Sequence, residues 1–184
     1  MEIVVAMTGA SGVIIGVRLL EALDEQGDHT VHLIVSHGAR AVIAHEIGDD
    51  PILPATHQWS ADDLAASIAS SSRGPQAMVI VPCSMKTLSA VAHGYASDLI
   101  VRTAEIMLRL GRPLVLMPRE TPLSLPAIEN MRLAKLAGAT ILPPVVAYYP
   151  QPKTVDEMTA FFAGKVLDVL GIEHNLYRRW GDWA

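Results

Sequence analysis

Hydroxyl and cationic side chains recur at one kind of position in this chain, just after a short apolar run. Ser11 follows the run from Ile3 to Met7, and Ser36 follows Val31 to Val35. Ser84, Lys86 and Thr87 follow Ala77 to Val81, and Arg119 with Glu120 follows Leu114 to Met117. Hydroxyls donate hydrogen bonds to an anion and lysine or arginine neutralises it, so these residue types suit a phosphate. Where the apolar run leads into a helix, unpaired backbone N–H groups and a partial positive charge add to the attraction. The stretch from Ala77 to Leu88 has this form. Ser84 can instead be a helix N-cap, a role contributing about 1 kcal/mol, and both readings stand on that stretch alone. Thr8 to Gly12 is open in the same way, as a phosphate turn or as a tight turn that needs small residues.

Other candidate groups are more dispersed. Arg102 and Arg109 lie seven residues apart, so they share a helix face, and Lys165 belongs to the last helix. Arg109 reads as a solvated surface charge. Seven of the nine aromatic residues fall between Tyr148 and Trp183. Phe161 and Phe162 read as core, whereas Tyr149 and Trp180, in non-helical segments beside prolines and arginines, suit a ligand wall that shields a cationic species. The seven histidines are scattered and none pairs with cysteine at zinc spacing, so no metal site is expected. Cys83 lacks a histidine partner by spacing and reads as a packed thiol.

These positions depend on the elements around them. Ile3 to Met7 reads as a strand, Thr8 to Gly12 as a turn, and Val13, Val17, Leu20 and Leu23 as the apolar stripe of a helix. Strand Val31 to Val35 and a helix from Ala39 to Glu46 follow. Gly48 to Trp59 reads as a loop, with a short helix capped near Ser60 and a serine-rich loop from Ser70 to Pro75. A third strand, Ala77 to Val81, leads into a helix ending near His93. Asp98 caps a helix from Leu99 to Leu110, Leu114 to Met117 is a fourth strand, and an amphipathic helix runs to about Ala137. Ala139 to Leu142 reads as a fifth strand. A proline-rich crossing segment and a capping box, Thr154 with Glu157, open a last helix that Gly171 ends. Alternating strands and helices predict an α/β fold, a parallel sheet with helices on both faces and ligands outside the carboxyl ends of the strands. Four of the polar loops then converge on one rim.

The totals bound the rest. At 184 residues the chain suits one domain, and 18% charged against 51% apolar residues leaves apolar surface for subunit contacts. A net charge of −5 argues against a general nucleic-acid role. No apolar run reaches the ~20 residues that cross a bilayer, the N-terminus opens on a strand, and one cysteine forms no internal disulfide, so a cytoplasmic protein with no membrane partner is expected. A dinucleotide site would show G-x-G-x-x-G and an acidic residue after the second strand. This chain has glycines at 9, 12 and 16 and Ser36 in the acidic position, which suits a mononucleotide phosphate better than NAD.

Longer motifs then add a resemblance. Gly9-Ala-Ser-Gly12, Pro82-Cys-Ser-Met-Lys-Thr-Leu88, Pro118-Arg-Glu-Thr-Pro-Leu-Ser124, Glu129-Asn-Met131, Gly138-Ala139 before Ile141-Leu-Pro-Pro144, Tyr149 with Pro152, and Gly171-Ile172 before Arg179-Trp180 closely resemble the UbiX-like flavin prenyltransferases. The resemblance covers nearly the whole chain. It implies a three-layer α/β/α Rossmann-like flavoprotein with a mainly parallel sheet, a single domain over residues 1–184 whose tail from about 172 contributes to the site or a subunit contact. It further implies that a dimethylallyl group passes from dimethylallyl monophosphate to N5 and C6 of reduced FMN. The product, prenylated FMN, would serve a UbiD-type decarboxylase. Metal-independent catalysis and a homo-oligomer, usually a dodecamer with sites at subunit contacts, are implied as well.

Carried over by position, Gly9, Ala10, Ser11, Ser36, Ser84, Met85, Lys86, Thr87 and Arg119 correspond to FMN-binding residues. Ser11, Glu46, Arg102, Glu120 and Trp180 correspond to catalytic ones, and Arg102, Tyr149 and Lys165 to the prenyl-phosphate site. Two departures stand out: Lys165 where relatives carry arginine, and Ser71 with Arg73 in the serine loop. Two rivals share the fold or cofactor, an FMN-dependent cysteine decarboxylase and a non-catalytic flavin-binding subunit of a decarboxylase complex. The PASANT run of the first is replaced here by Pro82 to Thr87, and a mere carrier has no need of Ser11, Glu46, Arg102 and Glu120.

Overall fold

The computed structural model describes residues 1–48 and 51–182. Six strands are found among them: β1 (Glu2–Met7), β2 (Thr30–Val35), β3 (His57–Ser60), β4 (Ala77–Cys83), β5 (Leu114–Pro118) and β6 (Thr140–Ile141). They form one sheet in the order β3-β2-β1-β4-β5-β6, every neighbouring pair parallel. Chain direction across the sheet reverses between β1 and β4, and the crevice at such a switch point is where ligands of this architecture bind.

Strand alternation builds two cores. Ile3, Val5 and Met7 of β1 face one side, where α1 (Val13–Gln26), α2 (His37–Glu46) and α6 (Val155–Leu170) pack on them. Val4 and Ala6 face the other, under α3 (Met85–Ala92), α4 (Leu99–Arg109) and α5 (Leu125–Leu136). β4 is buried along its whole length, as an inner strand covered on both faces must be. Each helix runs back against its strand, so the N-termini of α1, α2 and α3 all open on the carboxyl rim.

Local chemistry fixes where the helices start. Ser36, Ser84, Asp98, Ser124 and Thr154 each accept a backbone N–H from three residues on. Glu157 completes a variant capping box by accepting from the N–H of Lys153 in place of Thr154. Gly171 closes α6 in the left-handed conformation, with φ 71°.

Four expectations need correction. Residues 57–60 form the edge strand β3 instead of loop, and turns with two short 3-10 segments (Ser67–Ala69, Ser71–Arg73) replace the helix expected from Ser60. The strand is hard to read because His57, Gln58 and Ser60 are exposed and only Trp59 packs inward; backbone pairing to β2 holds it. β6 is shorter than expected. α5 buries only Ala127 and Ala134, while Leu125 and Leu136 stand more than 70% exposed, so its large aliphatic residues point outward. Among the described residues no helix is long and apolar enough to cross a membrane.

Candidate functional site

The rim is tied together at the switch point by Thr8, which is buried. Its hydroxyl donates to the Pro82 carbonyl at 2.9 Å and accepts from the Ser84 N–H at 2.7 Å, joining the loops after β1 and β4. Next to it, the backbones of Gly9 and Gly38 touch: a Cβ on Gly9 would lie 3.2 Å from Gly38 backbone atoms. Gly16 plays the equivalent part between α1 and the sheet, since its Cβ would meet the Val81 carbonyl oxygen at 2.7 Å. Only glycine lets backbone approach backbone at these distances.

Gly12 sits at the N-cap of α1 with φ 97° and brings no side chain to the helix end. Glu46, from the last turn of α2, supplies the missing acceptor. Its Oε2 accepts from the N–H groups of Gly12 at 2.9 Å and Val13 at 3.3 Å. A carboxylate is well placed there by the helix dipole. Ser11, one residue earlier, is exposed beside it, and Ala10 is buried.

Ser36 caps α2 through Ala39 N–H at 3.1 Å. Ser84 caps α3 through Thr87 N–H at 3.3 Å and donates its own proton to Thr87 Oγ1 at 3.1 Å. The N-cap reading of Ser84 therefore holds, and an anion at this rim would meet the remaining first-turn N–H groups. Met85 packs partly against the core while Lys86 is exposed. Arg119 leaves β5 half-buried, and its Nε is a buried donor with no hydrogen-bond partner among the described residues. An orphaned guanidinium nitrogen costs stability unless a ligand accepts from it. Glu120 is exposed, its Oε1 accepting from the Thr121 N–H at 3.0 Å.

A second group gathers on the last helix and the tail. Tyr149 meets Trp180 edge to face at 5.4 Å and Phe161 at 6.0 Å, so the two candidate wall residues do come together. Tyr149, Gln151, Arg178 and Trp180 line a pocket of about 280 Å³. Behind it Asp168 accepts from Lys165 Nζ at 2.9 Å, His174 Nε2 at 3.0 Å, Arg179 Nη1 at 2.9 Å and the Tyr177 hydroxyl. Burial pushes the Asp168 carboxyl up, but the hydrogen bonds from Tyr177, Lys165, Arg179 and His174 outweigh it and hold the group well below the usual carboxylate range. Burial likewise lowers the Lys165 ammonium, yet Asp168 and Tyr177 leave it above its ordinary value. Lysine and arginine on one carboxylate leave a net positive charge facing solvent.

Arg102 forms a third group. Its Nε donates to the Ala69 carbonyl at 3.2 Å, and Nη1 pairs with Glu105 at 2.8 Å. Glu105 also accepts from Arg109, which is exposed on the same face. The Arg109 hydrogen bond outranks burial and holds the Glu105 carboxyl below its ordinary range. Within one protomer the side-chain partners of Arg102 do not include the rim or the Tyr149 wall.

Cys83 is fully buried at the end of β4, and burial pushes its thiol up to about 12, as a packed residue requires. A cavity of about 520 Å³ lies between α2, the end of β2 and residues 51–58. Among the described residues no three His, Cys, Asp or Glu side chains gather as a metal site. Sequence reading missed the bridging role of Thr8, and missed Gly38 and Asp168. Gly164, a glycine inside a helical pattern, was the available signal for the last of these. Residues 183 and 184 of the tail, including Trp183, lie outside the described residues.

A family model described as Flavoprotein matches residues 1–164. The fold and the glycine-hydroxyl rim are those of a Rossmann-like flavoprotein. Flavin prenyltransferase UbiX of Methanocaldococcus jannaschii is 45% identical, the alignment covering 98% of this chain and 99% of that one. The crystal structure of AnUbiX (PadA1) in complex with FMN and dimethylallyl pyrophosphate is 39% identical with TM-score 0.94, over 100% of this chain and 98% of that chain. A dodecameric FMN-dependent UbiX-like decarboxylase from Escherichia coli O157:H7 is 40% identical with TM-score 0.92, over 98% and 99% of the two chains. The chain belongs to the UbiX family of flavin prenyltransferases.

Proposed function

We propose that this protein binds reduced FMN at the carboxyl rim and transfers a dimethylallyl group to it, from dimethylallyl monophosphate, yielding prenylated FMN and phosphate. Family membership supports the reaction. The buried Arg119 Nε, which has no hydrogen-bond partner among the described residues, supports the assignment to these residues, because it gives the rim an uncommitted donor for a bound flavin nucleotide. Gly9, Ala10, Ser11, Ser36, Ser84, Met85, Lys86, Thr87 and Arg119 would hold the flavin nucleotide. Bound reduced flavin supplies two nucleophilic positions, N5 and C6.

The remaining chemistry falls to the side chains. Breaking the allylic C–O bond sends its electron pair onto phosphate, which Arg102 and Lys165 stabilise. The Tyr149 and Trp180 rings keep water from the electron-poor allyl group. Ser11 relays the proton lost from N5, and Glu120 exchanges a proton with phosphate or flavin. Glu46 holds the glycine turn that presents Ser11.

Three groups that stay apart in one protomer suit a site completed between subunits. The exposed aliphatic face of α5 supports a homo-oligomer, and the assembly proposed is a dodecamer, as in the Escherichia coli relative. The whole chain acts as one domain, with the tail from about 172 contributing to the site. A cytoplasmic enzyme passing its product to a UbiD-type decarboxylase completes the proposal.

The test is anaerobic incubation of purified protein with reduced FMN and dimethylallyl monophosphate or pyrophosphate, followed by mass spectrometry of the flavin. The expected flavin is heavier by the prenyl group. Protein that binds FMN and leaves its mass unchanged with both donors would sink the proposal.

A further inference from the structure

The geometry points to Asp168 as the positioning residue that locks the C-terminal tail and Lys165 into one wall of the prenyl-donor site. The inference rests on the function proposed above. It begins with four donors on one carboxylate. Lys165 comes from the preceding turn of α6, whereas His174, Tyr177 and Arg179 come from the tail. One side chain thus gathers residues from both sides of the helix stop at Gly171.

The packing around this hub is made for it. Gly164 lies one turn before Asp168 on α6, and a Cβ there would come within 2.7 Å of both His174 Cε1 and the Tyr177 ring. Glycine in a helix interior is disfavoured relative to alanine, so a close contact has to justify it. His174 is almost fully buried, at 2% side-chain exposure, and its Nδ1 accepts from the Leu176 N–H at 3.2 Å, bending the tail back on itself. Tyr177 then packs on Phe161 at 4.9 Å, and Phe161 in turn supports Tyr149. Arg179 directly precedes Trp180, the ring that meets Tyr149. A continuous path of contacts therefore runs from Asp168 to both aromatic wall residues.

Charge gives the hub its second task. Asp168 restrains the Lys165 ammonium, which hangs on a flexible stem where an arginine would present a rigid fork. Asp182 also accepts from the Arg179 N–H, at 2.9 Å, but Lys165, Arg178 and Arg179 outnumber Asp168 and Asp182, so positive charge stays beside the aromatic wall without being cancelled.

The test compares wild type, Asp168→Asn, Asp168→Glu and Gly164→Ala. Gly164→Ala keeps every charge and favours the helix, so it probes tail docking even if loss of the carboxylate prevents folding. Loss of one charge-assisted contact corresponds to about tenfold in affinity. The expected result for Asp168→Asn and Gly164→Ala is a donor KM raised about tenfold, FMN affinity within about twofold of wild type, and partial recovery in Asp168→Glu. Faster tryptic release of the tail after Arg178 or Arg179 is expected in the same two variants. Unchanged donor KM and unchanged cleavage would overturn the inference, and so would an equal loss of FMN and donor binding. If wild type itself makes no heavier flavin, the proposed function fails, while tail cleavage still decides whether Asp168 docks the tail.

Discussion

The Glu46 carboxylate lies 2.9 Å from the N–H of Gly12, thirty-four residues away in sequence, and acts as the cap that Gly12 cannot provide. It places an acid of α2 against the turn that carries Ser11. Replacing it with alanine leaves two first-turn N–H groups without their protein acceptor. The expected stability loss is about 1 kcal/mol, a few degrees in Tm for a chain of this size. Glu46→Gln keeps an acceptor and should recover part of that loss. Thermal melts of both variants, read beside prenylated-flavin formation, separate the capping role from a chemical one.

Arg119 offers a buried Nε that no atom of the described residues uses. Arg119→Ala should weaken FMN binding by roughly ten- to a hundredfold, the range expected for one or two lost charge-assisted hydrogen bonds. Arg119→Lys should restore only part of it, since a point charge cannot reproduce the guanidinium fork. Titration of flavin fluorescence quenching measures both. Equal affinity in wild type and the alanine variant would remove Arg119 from the flavin site.

Glu120 is exposed on the same rim, and among the described residues only the Thr121 N–H engages its carboxylate. Glu120→Gln should therefore leave the fold and FMN binding intact and slow prenylated-flavin formation by about a hundredfold, the scale of general acid–base assistance. Single-turnover mass spectrometry checks this, and an unaltered rate takes Glu120 out of the mechanism.

Asp168 sets an acid-side dependence of stability. Its carboxyl is held below the usual range in the folded state, so the unfolded chain binds the proton more readily. The stabilisation is fully present above the ordinary aspartate value of about 4 and is lost as pH falls from there toward the depressed folded-state range. Urea melts of wild type and Asp168→Asn should differ most near neutrality and converge below about pH 4. A gap that stays constant on acidification contradicts this reading.

Much of this was legible in the sequence because burial and capping leave local marks. β1, β2, β4 and β5 announce themselves as apolar runs, and Ser84, Asp98 and Thr154 each cap the helix that their residue type predicts. The convergence of the Ser11, Ser36, Ser84 and Arg119 loops follows from parallel strand order alone. β3 escaped because an edge strand needs backbone partners more than buried side chains. Asp168 escaped for another reason, as did the capping role of Glu46: their partners are set by tertiary folding, and nothing near Glu46 in sequence says that it will cap α1. The outward Leu125 and Leu136 contradict an ordinary amphipathic reading, since nothing among the described residues of this chain covers them.

The contact between Gly9 and Gly38 couples two loops that belong to different βα units. With no side chain between them, neither loop can be remodelled alone: a methyl group at position 9 must displace the start of α2, and Ser36 with it. Attempts to retune this enzyme for another flavin are therefore better begun at Lys86 or Glu120, whose side chains project from the rim, than in the glycine turn. The glycine pair acts as a hinge pin driven through both plates, and its position fixes how far apart the rim-facing edges of the two loops can ever be.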